Sequence, residues 1–105
     1  MVKIFNNDEE KNFSDFRLRD ELKDTVNMLE EKLENTRLEI QELYSKETLL
    51  EIVNAPEDKK LENKKKIEVK TKELDGICND LEFNKLLKDR LDTRIEVIYL
   101  NKYQL

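Results

Sequence analysis

The stretch "VNAPED", residues 53–58, decides the fold. Pro56 is the only proline in 105 residues, and Gly76 is the only glycine. The residue before a proline is pushed out of the helical region, so Ala55 cannot continue a helix. Pro56 suits the first turn of a new helix, where its missing N–H is not needed. Glu57 and Asp58 follow where the helix dipole favours negative charge. Asn54 tolerates the left-handed backbone that closes a helix. The six residues read as a stop, a corner and a start, with the turn at Asn54, Ala55 and Pro56.

Outward from this corner the apolar spacing is regular. Leu22, Val26, Leu29, Leu33, Thr36, Ile40, Leu43, Glu47 and Leu50 follow at alternating steps of four and three. That spacing keeps one stripe of a helix facing a partner helix, as in a coiled coil. Beyond the corner the same rule gives Ile67, Leu74, Ile77, Leu81, Leu91, Ile95 and Ile98, with Lys60, Asn63, Lys70, Asn84 and Lys88 in the same register. The second arm is therefore less ideal, and Leu87 suggests a shift of register near its middle. Gly76 costs about 1 kcal/mol relative to Ala inside a helix. "DGICND" would also serve as a break, but the spacing from Leu74 through Ile77 to Leu81 runs across it and favours one continuous helix. The expected organisation is an amino-terminal arm over 1–12, helix one over about 13–53, a turn at 54–56 and helix two over about 57–102. In "NNDEEKNFSD", Asn12 or Ser14 followed by Asp15 is a suitable cap for helix one. Arms of about 40 residues would each run about 60 Å, and so short a link makes them antiparallel. The fold class is all-α: a long antiparallel helical hairpin, coiled-coil-like, completed to four helices by dimerisation.

Composition agrees with this reading. Charged residues are 43% of the chain and apolar ones 37%, with almost no Gly or Pro, which marks long helices rather than sheet or disorder. Residues 1–53 carry 8 basic and 14 acidic side chains, residues 54–105 carry 12 and 11, so an acidic arm faces a slightly basic one. The net charge of −5 argues against a general polyanion binder. No apolar run approaches a membrane span, and "MVKIFNNDEE" lacks the basic start and apolar stretch of a secretory signal. Cys78 stands alone, so no intrachain disulfide forms and a reducing, cytoplasmic setting is the simplest expectation. A lone Cys beside a helix seam reads as a packing residue.

The residues for catalysis are missing. With no histidine in the chain, Ser-His and Cys-His nucleophiles, most zinc sites and helical di-iron motifs are excluded. One glycine cannot build a phosphate loop. The expectation is a non-enzyme without metal, cofactor or small-molecule substrate. "TKELD", residues 71–75, resembles the Ser-x-Glu-Leu-Asp element of small helical-hairpin phosphatases that act on sporulation response regulators. The resemblance covers five residues and implies Asp75 as the acidic residue, with Thr71 in the place of serine. It leads to one alternative, a regulator acting on an enzyme; the acidic tip at Glu57 and Asp58, reaching into a channel as an inhibitor, is another form of it. "KKLENKKKIEVKTK", residues 59–72, holds seven Lys and two Glu. It leads to a second alternative, a hairpin resting on nucleic acid, against which stand the lack of Arg and aromatics in the cluster and the acidic total. A solvated face opposite the acidic arm, or an acidic protein partner, is the plainer reading.

The most informative feature is a second stripe. Phe83, Leu86, Val97 and Leu100 fall on positions away from the seam, with Tyr99 and Tyr103 nearby. A helix apolar on two faces is normally buried on both, and one antiparallel neighbour covers only one. Either Val2, Ile4, Phe5, Phe13 and Phe16 fold back over the open end, or another chain packs there. A two-helix layer is short of core, and oligomerisation is the usual remedy. The expectation is therefore a protein–protein interaction module, an adaptor, chaperone or assembly subunit. It binds through Phe83, Leu86, Val97, Leu100 and Tyr103, as a C2 homodimer or a small hetero-oligomer, with no membrane and no nucleic acid.

Overall fold

The computed structural model describes the backbone of residues 7–103 and the side chains of residues 14–98. It is all-helical over those residues. Helix α1 spans Asn7–Ile52 and helix α2 spans Glu57–Tyr103, and the two pack as a hairpin. Helix α1 begins at Asn7 rather than at residue 13, so residues 7–12 are helix and not arm. Asn12 and Ser14 consequently lie one to two turns inside the helix and do not cap it, and Asp15 is not in its first turn.

The corner is a Schellman closure. Asn54 has φ 53°, the left-handed conformation. The Ala55 N–H donates to the Leu50 carbonyl at 2.9 Å and the Asn54 N–H to the Glu51 carbonyl at 3.1 Å, satisfying carbonyls the helix end would otherwise leave bare. The Pro56 carbonyl then accepts from Lys59 and Lys60 at 3.1 and 3.2 Å. Pro56 is thus the capping residue of α2, one position before the first helical turn, where its carbonyl is used and its missing N–H costs nothing.

Helix α2 passes through Gly76 without a break. A methyl added at Gly76 would meet nothing within 4 Å, so no close approach within the chain requires glycine there. The seam keeps one register throughout. With positions lettered a to g, α1 places Val26, Leu33, Ile40 and Glu47 at a, and Leu22, Leu29, Thr36, Leu43 and Leu50 at d. Helix α2 places Lys60, Ile67, Leu74, Leu81, Lys88 and Ile95 at a, and Asn63, Lys70, Ile77, Asn84, Leu91 and Ile98 at d. Every one of these side chains is buried or half-buried, the polar ones included. Leu87, at g, is exposed beside a half-buried Lys88, so the expected register shift does not occur. An apolar side chain did not outweigh the 3.5-residue period.

The chain forms two compact units, residues 29–81 and residues 1–28 with 82–105. In the unit containing the corner, Leu29, Thr36, Asn63, Ile67, Ile77 and Leu81 are buried. Asn63 is only 2% exposed; its Nδ2 donates to the Leu43 carbonyl at 3.0 Å, while its Oδ1 is buried with no partner. Two seam lysines reach out of the same interface, each to one carboxylate on the other helix and one on its own. Lys60 meets Glu51 at 3.3 Å and Glu57 at 3.8 Å, and Lys70 meets Glu39 at 2.6 Å and Glu73 at 3.3 Å. Their stems cover the seam while their ammonium groups stay at its edge. The hydrogen bonds that Lys70 donates to Glu39 and then to Glu73 raise its pKa above the ordinary 10.5.

In the other unit the core is Leu22, Leu91 and Ile95, with Val26 buried beside them in sequence register. Asp15, at position d, is buried, and Arg94 donates from Nε to its Oδ2 at 2.9 Å. A carboxylate in a seam is tolerated because a guanidinium satisfies it there.

Candidate interaction surface

The hairpin's own seam consumes positions a and d. What remains exposed on α2 in the unit of residues 1–28 and 82–105 is an apolar strip at c, f and g. Phe83, Leu86 and Val97 are 61%, 53% and 50% exposed, and Leu87 joins them at 41%. Leu100 and Tyr103 belong to the helix, but their side chains lie outside the described residues, as do those of Val2, Ile4, Phe5, Phe13 and Tyr99. Phe16 is itself exposed, with the Arg19 guanidinium 5.0 Å over its ring, so it does not contribute a buried cover. On α1 the exposed Leu18 sits at g and the exposed Met28 at c. That is the flank on which Arg94, at g of α2, reaches Asp15. Single exposed leucines are ordinary, but a helical strip with apolar flanking residues from a second helix is not.

The strip has a charged middle. Arg90 stands at c between Phe83 and Val97, with Leu86 and Leu87 on its amino-terminal side and Thr93 and Arg94 on the other. No carboxylate among the described residues pairs with Arg90. Arg90, Leu18 and Met28 were not singled out in the sequence reading, and Leu87 was read there only as a shift of register. The signal for Leu87 and Arg90 was present, since both fall at c and g once the seam is fixed at a and d.

The other candidates dissolve into local structure. In "TKELD" the Thr71 hydroxyl donates to the Ile67 carbonyl at 2.8 Å, Leu74 is half-buried in the seam, and Glu73 pairs with Lys70. Asp75 is exposed, as are Thr71, Lys72 and Glu73, and nothing gathers them into a site. Of the seven lysines in residues 59–72, Lys60, Lys66, Lys70 and Lys72 each meet a carboxylate. That leaves Lys59, Lys64 and Lys65 as a scattered set rather than a stripe. At the tip, Glu57 is engaged by Lys60 and Asp58 is exposed. A groove of about 590 Å³ lies on the g flank of the corner unit, floored by Leu43 and Val69 and rimmed by lysines and glutamates of both signs. Another, of about 640 Å³, runs beside Phe16 and Ile95 between equal numbers of acids and bases. Neither converges polar groups on a point, as a ligand pocket does. Among the described residues no cluster of His, Cys, Asp and Glu could hold a metal ion. No described helix is long and apolar enough to cross a membrane.

Fold and surface together define a class, the all-α helical hairpin with one closed seam and one open apolar strip. No protein-family model, curated protein or solved structure matches the chain.

Proposed function

We propose that the chain is a non-catalytic protein–protein interaction module of the cytoplasm, an adaptor, chaperone or assembly subunit, that docks through the strip on the carboxy-terminal half of α2. One observation carries this reading. Phe83, Leu86, Leu87 and Val97 are between 41% and 61% exposed on a helix whose other apolar face is already closed. Covering such a strip removes apolar area from water at about 25 cal/mol per Å², and a soluble chain retains it at a cost in solubility unless something packs there. Charged residues along it, Arg90 in its middle above all, would orient the partner. The lone, half-buried Cys78 fits a reducing setting.

The test is affinity capture from native lysate with two baits, the wild-type chain and the Leu86→Glu/Val97→Glu variant. Both substitutions fall on exposed positions and should leave helicity unchanged by circular dichroism. The reading expects at least one protein, or further copies of the chain, retained by the wild type and lost by the variant. Identical retention on the two baits contradicts it.

A further inference from the structure

We infer that the occupant of this strip is a second copy of the same chain, with α2 packed antiparallel on α2 of its partner about a two-fold axis between Phe83 and Leu87. The inference rests on the strip being a docking surface and adds its occupant and register. Along α2 the c and g positions read Glu73, Gly76, Asp80, Phe83, Leu87, Arg90, Arg94 and Val97. Acidic residues precede the apolar pair and basic residues follow it. A helix patterned in this way is complementary to itself only when turned end for end.

Three antiparallel registers set Phe83 on an apolar c or g residue of the partner copy. The one that sets it on Phe83 itself leaves Arg90 against Gly76, with no carboxylate, and two remain. One sets Phe83 on Val97 and brings the two copies of Arg90 together on the axis, each without a carboxylate among the described residues of its own chain. The other sets Phe83 on Leu87, and Arg90 of each copy then faces Asp80 of the other, twice per dimer. Like charges in a desolvated interface are strongly unfavourable, so electrostatics select the second. A parallel pairing stacks acid on acid and base on base, and is excluded on the same ground. The angular geometry agrees. At 100° per residue the c/g strip is centred about 110° around α2 from the a/d seam, so α1 and the partner's α2 occupy adjacent sides, as neighbours do in a four-helix bundle. Leu18 and Met28, on the corresponding flank of α1, would be covered in the same assembly.

Charge reversal with subunit mixing tests both the occupant and the register. Asp80→Arg alone sets arginine against Arg90 at both contacts, and Arg90→Asp alone sets aspartate against Asp80. Each should raise the dimer dissociation constant tenfold or more in sedimentation equilibrium. Mixed one to one, the two variants restore both ion pairs and should form a heterodimer as tight as the wild-type dimer. Circular dichroism of each variant separates lost pairing from lost helix, and Arg90→Gln, which removes charge without reversing it, should weaken the dimer by a smaller factor. A wild-type chain that stays monomeric at millimolar concentration overturns the inference. So do reversals that leave the dimer intact, or a mixture that fails to recover it. If the wild type is monomeric while the Leu86→Glu/Val97→Glu bait still loses a captured protein, only the identity of the occupant falls. If it is monomeric and the two baits behave alike, the docking surface falls with it.

Discussion

Replacing Asn63 by Leu should stabilise the hairpin. Leucine has the same branching as asparagine, so the change swaps Oδ1 and Nδ2 for methyl groups with little change of shape. Asn63 is 2% exposed, and its buried Oδ1 has no partner, a state that costs about 1–3 kcal/mol. Its single bond, to the Leu43 carbonyl at 3.0 Å, returns about 0.5–1.5 kcal/mol. A buried leucine at this d position adds about 1.5–3 kcal/mol of apolar transfer, less about 1 kcal/mol for imperfect fit. The balance is a net gain of about 1–3 kcal/mol. At 4–8 °C per kcal/mol for a domain of this size, the melting midpoint should rise by roughly 5–20 °C. Thermal and urea unfolding followed by circular dichroism at fixed chain concentration would read it, with the urea slope unchanged. A midpoint that is unchanged or lower would refute the assignment of Asn63 as a destabilising seam residue kept for register.

Gly76→Ala should stabilise α2 by about 0.5–1 kcal/mol, because the added methyl meets nothing and the unfolded chain loses freedom; chemical denaturation of the dilute chain measures it. Arg94→Ala strands the buried Asp15 carboxylate and should cost about 1–3 kcal/mol, whereas the double variant Asp15→Ala/Arg94→Ala should recover part of that loss in the same assay. Lys70 holds a raised pKa through Glu39 and Glu73, so its contribution to stability is complete below pH 10.5 and is lost as pH rises through the folded-state value. Lys70→Met should therefore flatten the alkaline limb of a stability–pH curve above 10.5 and leave its shape near neutrality unchanged.

The hairpin was legible because one proline and a 3.5-residue period leave few alternatives. The period held even where chemistry argued against it, burying Asn63 and Thr36 and half-burying Lys60, Lys70, Lys88 and Glu47. Where residue type was given more weight than period, the reading went astray, as at Leu87. The start of α1 was misplaced for a related reason. Residues 7–12 carry no apolar period, and that period was the signal the reading followed. The ion pair of Asp15 with Arg94 joins residues 79 positions apart, and nothing local to either signals it. The apolar strip was legible in outline as a second stripe. Its charge pattern emerges only once the seam has been fixed, because c and g are defined relative to it.

The most direct measurement is a distance between two copies of α2. A spin label at Asp75, an exposed b position, introduced as Asp75→Cys in a Cys78→Ser background, reports on the pairing by double electron–electron resonance. In the register that joins Arg90 to Asp80, the two labels are separated by about 30 Å along the helices at 1.5 Å per residue. The register that sets Phe83 on Val97 gives about 45 Å along the same axis, and a parallel pair leaves the labels side by side. A distribution centred a few ångströms beyond 30 Å, once lateral offset and label arms are added, is the result this account predicts. A distribution near 45 Å, a side-by-side distance, or no dipolar modulation at all would contradict it.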